Sequence, residues 1–226
     1  MITAFIPCRA GSERIAKKNT KLFAGKEGGL LAIKLEQLLK VKLIDKIILS
    51  TNDQDVIDIA KSISKNIIID LRPTHLALSS TSTDDLIEYV PEIIKNGHVL
   101  WTHVTSPFLD EKVYEKAIQK YLDALNIKDF DSLMTVNKLQ TFLWDETGSV
   151  NYDRNVEKWP RTQTLKKLYE INSGMFISSI DNYKKFGDRI GKKPFLFVNE
   201  GYSSFDIDWP EDFTLAKYIY KSLVTR

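Results

Sequence analysis

The chain has 226 residues, 43% of them hydrophobic and 27% charged, enough to bury a core without covalent staples. Its 32 lysines and arginines against 30 aspartates and glutamates leave a formal charge of +2. That balance, with no dominant basic block, excludes a mainly electrostatic binder of nucleic acid or of membrane surfaces. The single Cys8 excludes an internal disulfide framework and a cysteine-rich metal centre, and fits a reducing compartment.

The apolar run Ile2 to Pro7 is interrupted by Arg9, too short for a signal peptide or a span, and it suits a buried first strand. No later stretch reaches the roughly 18 apolar residues of a spanning helix; the expectation is a cytoplasmic protein. From Leu30 to Lys40, Leu31, Leu35, Leu38 and Leu39 share one helical face. Lys46 to Thr51 reads as a second strand. Val56, Ile59, Ala60 and Ile63 mark a helix, and Asn66 to Asp70 a strand. Leu86, Val90, Ile93 and Ile94 mark the next helix, His98 to Val104 a strand. Val113, Ala117, Tyr121 and Leu125 precede a strand at Asp131 to Val136. Repeated strand-helix-strand order predicts a single α/β domain over residues 1–226, a mostly parallel sheet with helices on both faces.

Lys138 to Ile171 breaks that rhythm. It is polar, carries Trp144 and Trp159 of the four tryptophans, and has weak periodicity. Such an excursion serves as a lid, a dimer arm or a long structured loop. Gly174 to Ser179 and Pro194 to Asn199 read as further strands. A last helix follows Pro210, which fits a first helical position, with Glu211 and Asp212 favourable in the first turn.

The first chemical signal is the loop after the first strand, Arg9-Ala-Gly-Ser-Glu-Arg-Ile-Ala-Lys-Lys-Asn19. Loops at the carboxyl ends of parallel strands are where open α/β sheets bind ligands. Gly11 permits close backbone approach, successive N–H groups can form an anion nest, and Arg9, Arg14, Lys17 and Lys18 supply positive charge for a polyphosphate. The loop is neither a P-loop nor the dinucleotide Gly-x-Gly-x-x-Gly, which disfavours a dinucleotide-dependent oxidoreductase.

Ile6-Pro-Cys-Arg-Ala-Gly-Ser-Glu-Arg-Ile-Ala-Lys-Lys-Asn19, followed by Leu22 and Ala24-Gly-Lys26, resembles the nucleotide-binding signature of the acylneuraminate cytidylyltransferases. The resemblance continues, in family order, through Leu49-Ser-Thr-Asn-Asp53, Ser80-Thr-Ser-Thr-Asp84 and Thr105-Ser-Pro107. Tyr169-Glu-Ile-Asn-Ser-Gly174 and Asp206-Ile-Asp-Trp-Pro-Glu-Asp212 complete it. It implies a Rossmann-like nucleotidyltransferase fold with a small dimerisation and sugar-site excursion at residues 138–172, and a homodimer. It also implies transfer of CMP from CTP to the anomeric hydroxyl of a nonulosonic acid (sialic, legionaminic or pseudaminic type), with release of pyrophosphate.

By that resemblance Arg9, Gly11, Ser12, Lys18 and Asn19 bind nucleotide, with Arg9 and Lys18 on phosphates. Ser82 and Asp84 line the cytidine pocket, and Arg9, Lys18 and Asp208 are catalytic. Asp206 and Asp208, one residue apart on an extended segment, point the same way and are implied ligands of Mg²⁺. His103, Thr105, Ser106, Arg161, Gln163, Tyr169 and Glu170 are implied on the acceptor side, Arg161 as a partner for the sugar carboxylate.

Departures from the family pattern are informative. His103 stands where many relatives carry Gln, and an imidazole there could titrate near neutrality. Ala16 replaces a usual Pro, and Glu27-Gly-Gly29 a usual Pro-Leu. Phe108-Leu109 follows Thr-Ser-Pro where Leu-Arg is common, which removes a cation from the sugar side. The alternatives are a 3-deoxy-manno-octulosonate cytidylyltransferase, a sugar nucleotidyltransferase using another NTP, and a non-catalytic nucleotide-binding protein on the same fold. Lys-Lys-Asn19 and Thr-Ser-Pro107 argue against the first, and Asp206 with Asp208 against the last.

Overall fold

A computed structural model describes residues 1–127 and 129–224. Seven strands form one sheet: β1 (Ile2–Pro7), β2 (Lys46–Thr51), β3 (Ile67–Leu71), β4 (His98–Thr102), β5 (Ser132–Leu139), β6 (Leu168–Ser179) and β7 (Pro194–Val198). The helices are α1 (Gly29–Leu39), α2 (Gln54–Ile63), α3 (Thr83–Ile93), α4 (Glu111–Asn126), α5 (Ile180–Phe186) and α6 (Pro210–Val224). The strand order is β3-β2-β1-β4-β6-β5-β7. All neighbours run parallel except β6, which is antiparallel to both β4 and β5.

Alternation along the strands splits the core into two layers. Ala4, Ile6, Leu49 and Leu100 face the cluster built with α1, α2, α4 and α6, while Phe5, Ile48, Val99 and Trp101 face the one built with α3 and α5. The expected mostly parallel sheet with helices on both faces is therefore observed. Helix starts are set by side-chain caps. Asp53 accepts from the N–H of Asp55, Ser82 and Asp85 form a reciprocal capping box, and Asp110 accepts from the N–H of Val113.

Two expectations need correction. The excursion is shorter than 138–172, because β5 runs on to Leu139 and β6 begins at Leu168; the two ends pair as Lys138 with Tyr169 and Leu139 with Leu168. Within the remaining arm the buried Asn151 accepts from the Leu143 N–H and donates to the carbonyls of Thr141 and Lys166. The seven-residue α5, capped by Ser179 and closed by a left-handed Gly187, has no counterpart in the sequence reading.

The β5–β6 ladder shifts register between Met134 and Val136. The extra residues on β6 are Asn172, Ser173 (φ 56) and Gly174. A β-carbon on Gly174 would crowd the side chains of Leu109, Thr135 and Asn172, so the bulge packs tightly around glycine. It lies beside the end of β4, where Thr102 Oγ1 donates to the Gly174 carbonyl at 2.8 Å.

Candidate active site

Strand order reverses between β1 and β4, and the carboxyl ends of β1, β2 and β4 open on one edge of the sheet. This is the place where such sheets take ligands. The loop after β1, the segment 103–105 after β4 and the start of α3 enclose a two-lobed cleft there. One lobe, 320 Å³, is walled by Arg9, Gly11, Ser12, Lys18, Asn19 and Thr105. The other, 230 Å³, is walled by Arg72, Leu76, Ser82, Thr83 and Trp101. Pro7, Arg9 and His103 line both lobes, so the cleft is continuous.

The loop is shaped by its backbone. Gly11 is left-handed at φ 77, and Lys17 adopts the same region at φ 51, turning its side chain to Asp55 (2.7 Å) and leaving Lys18 at the cleft. Lys18 Nζ donates to the Ile207 carbonyl at 2.9 Å. Burial lowers its pKa, while Asp208 and Asp206 pull it back up. The Asn19 carbonyl accepts from the N–H of Leu31, which ties the loop to the first turn of α1.

Asp206 and Asp208 flank Ile207, whose side chain is fully buried and whose N–H donates to the Thr105 carbonyl at 3.0 Å. Ser106 Oγ donates to Asp206 at 3.1 Å; burial raises the Asp206 pKa, and the Thr105 and Ser106 hydroxyls oppose that rise. Asp208 is exposed and pairs with Arg14 at 3.3 Å, whose guanidinium lies 4.4 Å over Trp209. The charges of both carboxylates act on Lys18, whose ammonium sits on the carbonyl of Ile207 between them. No group of three or more His, Cys, Asp or Glu side chains clusters as a metal site among the described residues. Two carboxylate ligands completed by substrate phosphates and water is nevertheless a donor set that Mg²⁺ accepts.

His103 is held neutral. Trp101 Nε1 donates to its Nε2 at 2.9 Å, which leaves Nδ1 as the protonated nitrogen. Burial, and then the charges of Arg189, Lys18, Lys34 and Arg72, lower its pKa to about 3. The expectation that it titrates near neutrality is therefore corrected: it offers one N–H and no base.

Other expected residues lie elsewhere. Asp84 is exposed in the first turn of α3 and does not line the cleft, whereas its neighbours Ser82 and Thr83 do. Arg161, Gln163, Tyr169 and Glu170 are exposed on the arm and its base, and none lines the cleft of its own chain. There Glu170 accepts from the Asn137 amide at 3.0 Å, and the Gln163 carbonyl accepts from the Gln140 amide at 2.9 Å. The Phe108-Leu109 departure is structural: Phe108 packs among the rings of Tyr202, Phe205 and Tyr220, and Leu109 is fully buried.

Sequence reasoning missed Arg72 and Lys34. Arg72, just beyond β3, is buried with Nε on Ser50 Oγ (3.1 Å) and Nη2 on the Ser50 carbonyl (2.7 Å), so its fork is fixed in the cleft wall. A charged residue at the carboxyl end of a strand was the available signal. Lys34 is fully buried on α1, and its ammonium donates to the carbonyls of Ser106 (2.8 Å) and Leu109 (3.4 Å) and to the Tyr114 hydroxyl (2.7 Å). Its mark in the sequence is a lone lysine amid Leu30-Leu31-Ala32-Ile33 and Leu35. A larger hollow of 1020 Å³ lies across the 16–28 loop, between α1 and α2, but its Asp55 and Glu36 are already paired with Lys17 and Lys26. The switch-point cleft is the better site, because its cations Lys18 and Arg72 donate to backbone carbonyls and a hydroxyl rather than to carboxylates.

Sheet topology and a cationic cleft at the switch point place the chain among the α/β nucleotidyltransferase folds. A solved CMP:2-keto-3-deoxy-manno-octonic acid synthetase complexed with CTP superposes with a TM-score of 0.68 at 16% identity, covering 98% of this chain and 99% of that one. The sequence profile of the cytidylyltransferases matches residues 3–223. The chain belongs to the cytidylyltransferase family. It is 26% identical over 219 residues to an N-acylneuraminate cytidylyltransferase of Escherichia coli, covering 95% of this chain and 51% of that enzyme, and so spans about half its length. It is 27% identical over 222 residues to a pseudaminic acid cytidylyltransferase of Campylobacter jejuni, covering 96% of this chain and 94% of the other.

Proposed function

We propose that this chain transfers CMP from CTP to the anomeric hydroxyl of a nonulosonic acid in the cytoplasm, as a homodimer. The observation that carries this reading is the continuity of the cleft. A lobe rich in phosphate-type donors meets a smaller lobe with a fixed arginine fork, and the carboxylate pair stands beside Lys18, one of the first lobe's walls.

In this reading the triphosphate lies in the larger lobe, against Arg9, Lys18 and the backbone around Gly11 and Ser12. The cytosine enters the smaller lobe, where Arg72 and Ser82 present donors to its polar edge. The hydroxyl oxygen attacks the α-phosphorus, the bond to the pyrophosphate oxygen breaks, and the hydroxyl proton leaves to solvent. Arg9 and Lys18 stabilise the charge that builds on the leaving pyrophosphate, and rigid placement of both partners supplies the rest. Neutral His103 donates from Nδ1 and takes no proton. Asp206 and Asp208 would hold Mg²⁺, which neutralises phosphate charge when bound.

No helix among the described residues is long and apolar enough to cross a membrane. The arm exposes Trp144, Val156 and Trp159, apolar surface that a second copy would cover, and Arg161 and Gln163 are exposed on the same arm.

The test is pyrophosphate release with Mg²⁺ and each NTP, against a panel of nonulosonic acids and octulosonate, with Asp208→Asn as control. Release that needs CTP and a nine-carbon acid, and that falls by about 100-fold or more in the variant, is expected. Activity with octulosonate alone moves the assignment to that acceptor, and absence of both turnover and CTP binding removes it.

A further inference from the structure

One helix touches both sides of the cleft. At its start, α1 receives the nucleotide loop through the Leu31 N–H on the Asn19 carbonyl, at 2.9 Å. One turn on, Lys34 and Gln37 share a face, and each donates to a consecutive carbonyl of the opposite wall: Lys34 Nζ to Ser106 at 2.8 Å, Gln37 Nε2 to Pro107 at 2.7 Å. The wall they grip carries Ser106 Oγ on Asp206 and the Thr105 carbonyl under the Ile207 N–H. A second chain leaves the same ammonium. Lys34 donates to the Tyr114 hydroxyl, Tyr114 and Thr102 hydroxyls share a 2.7 Å hydrogen bond, and Thr102 Oγ1 donates to the Gly174 carbonyl in the β6 bulge.

We infer that Lys34 and Gln37 are positioning residues, which clamp the 105–107 segment to α1 and thereby set where Asp206 stands relative to the nucleotide loop. Lys34 touches no described carboxylate within ion-pair distance and lines neither lobe of the cleft, so it acts through the backbone it holds. An apolar side chain would fill the same core volume at lower desolvation cost. In its charged form Lys34, whose pKa burial lowers to about 7, holds Ser106, Leu109 and Tyr114 at once, which an apolar group cannot do. Because the clamp grips backbone on the acid-bearing side, its loss displaces the carboxylate, while the nucleotide loop stays tied to α1 through the Leu31 N–H on the Asn19 carbonyl.

This inference rests on the proposed transfer for its kinetic consequence, but not for its structural one. The experiment compares wild type, Lys34→Met, Gln37→Met and the double variant. Three quantities are read: CTP affinity by tryptophan quenching, steady-state kinetics, and amide hydrogen exchange at Leu109 and Ile207. We expect CTP affinity within twofold of wild type, kcat lower by about 10- to 100-fold as for a displacement near 1 Å, and exchange at Leu109 and Ile207 accelerated while β2 and β3 keep their protection. The double variant should lose less than the product of the single losses, since both residues hold one segment. Gln37 is only half-buried, so its variant carries the test if Lys34→Met does not fold. Folded variants with wild-type exchange overturn the inference, as does accelerated exchange with unchanged kcat, or strictly multiplicative losses. If wild type itself turns over no acid, the transfer reading fails, and exchange with CTP affinity alone decides the clamp.

Discussion

The indole of Trp101 donates to Nε2 of His103 at 2.9 Å, two residues along the same strand end, and lines the smaller lobe beside it. Burial holds that imidazole neutral, with a pKa of about 3 against the ordinary value near 6.5. Between these values the unfolded chain binds a proton that the folded chain does not. Stability contributed by neutral His103 is therefore complete above pH 6.5 and is lost progressively as pH falls towards 3, by at most about 1.4 kcal/mol per pH unit. His103→Gln keeps an acceptor for the indole and removes the titration. Calorimetry of both proteins from pH 7 to pH 4 should show a steeper fall in Tm for wild type; parallel curves would contradict a neutral, buried imidazole.

The carboxylates should separate by role. Asp208 is exposed and its carboxylate pairs with Arg14, so Asp208→Asn removes a charge near Lys18 without disturbing the core. We expect wild-type Tm within about 1 °C, as for a surface change, and kcat lower by about 100-fold or more, the scale of losing one transition-state electrostatic contact. Asp206→Asn also disturbs the Ser106 contact, so it should lower both kcat and Tm. Titration with Mg²⁺ at fixed CTP should give weaker half-saturation in both variants. Mg²⁺ dependence identical to wild type in both would remove these residues as its ligands.

Arg72 provides a test of base recognition that does not depend on the acceptor. Its fork is fixed by two bonds to Ser50, and lysine cannot reproduce that geometry. Arg72→Lys should weaken CTP binding by about 10- to 100-fold, the scale of one hydrogen bond to a charged group, and narrow the preference for CTP over UTP. A variant that binds both as wild type does would place the base elsewhere.

The strands nearest the site were readable because they are short apolar runs with clear ends: β1 and β2 match their expected bounds at both termini. The early half of β6 was not, since Tyr169, Glu170 and Ile171 are exposed and show no one-sided burial; that segment is a strand only because β5 pairs with it across the arm. The loop after β1, which walls the larger lobe, drew attention through Gly11 and its cations. Lys34 and Arg72 did not, because each earns its role from a partner far along the chain or across the sheet: Ser106 lies 72 residues from Lys34, and Ser50 lies 22 from Arg72. His103 lines the cleft, but its protonation could be read only once Trp101 and the surrounding cations had been folded around it.

Asn151 tests whether the arm is a built element or a loose loop. Its side chain is 3% exposed and satisfies three backbone groups at once: the Leu143 N–H at 3.1 Å, and the carbonyls of Thr141 and Lys166 at 2.8 and 3.1 Å. Asn151→Ala leaves these groups buried without partners, a cost of about 1–3 kcal/mol where water cannot enter. At this chain length that corresponds to a Tm lower by about 2–10 °C. CTP affinity should be unchanged, because no arm residue lines the cleft. If the arm also supports a dimer, sedimentation should show a larger monomer fraction in the variant at equal concentration. A variant with wild-type Tm would mean that the arm is anchored by its strand ends alone, through the Lys138–Tyr169 and Leu139–Leu168 pairs.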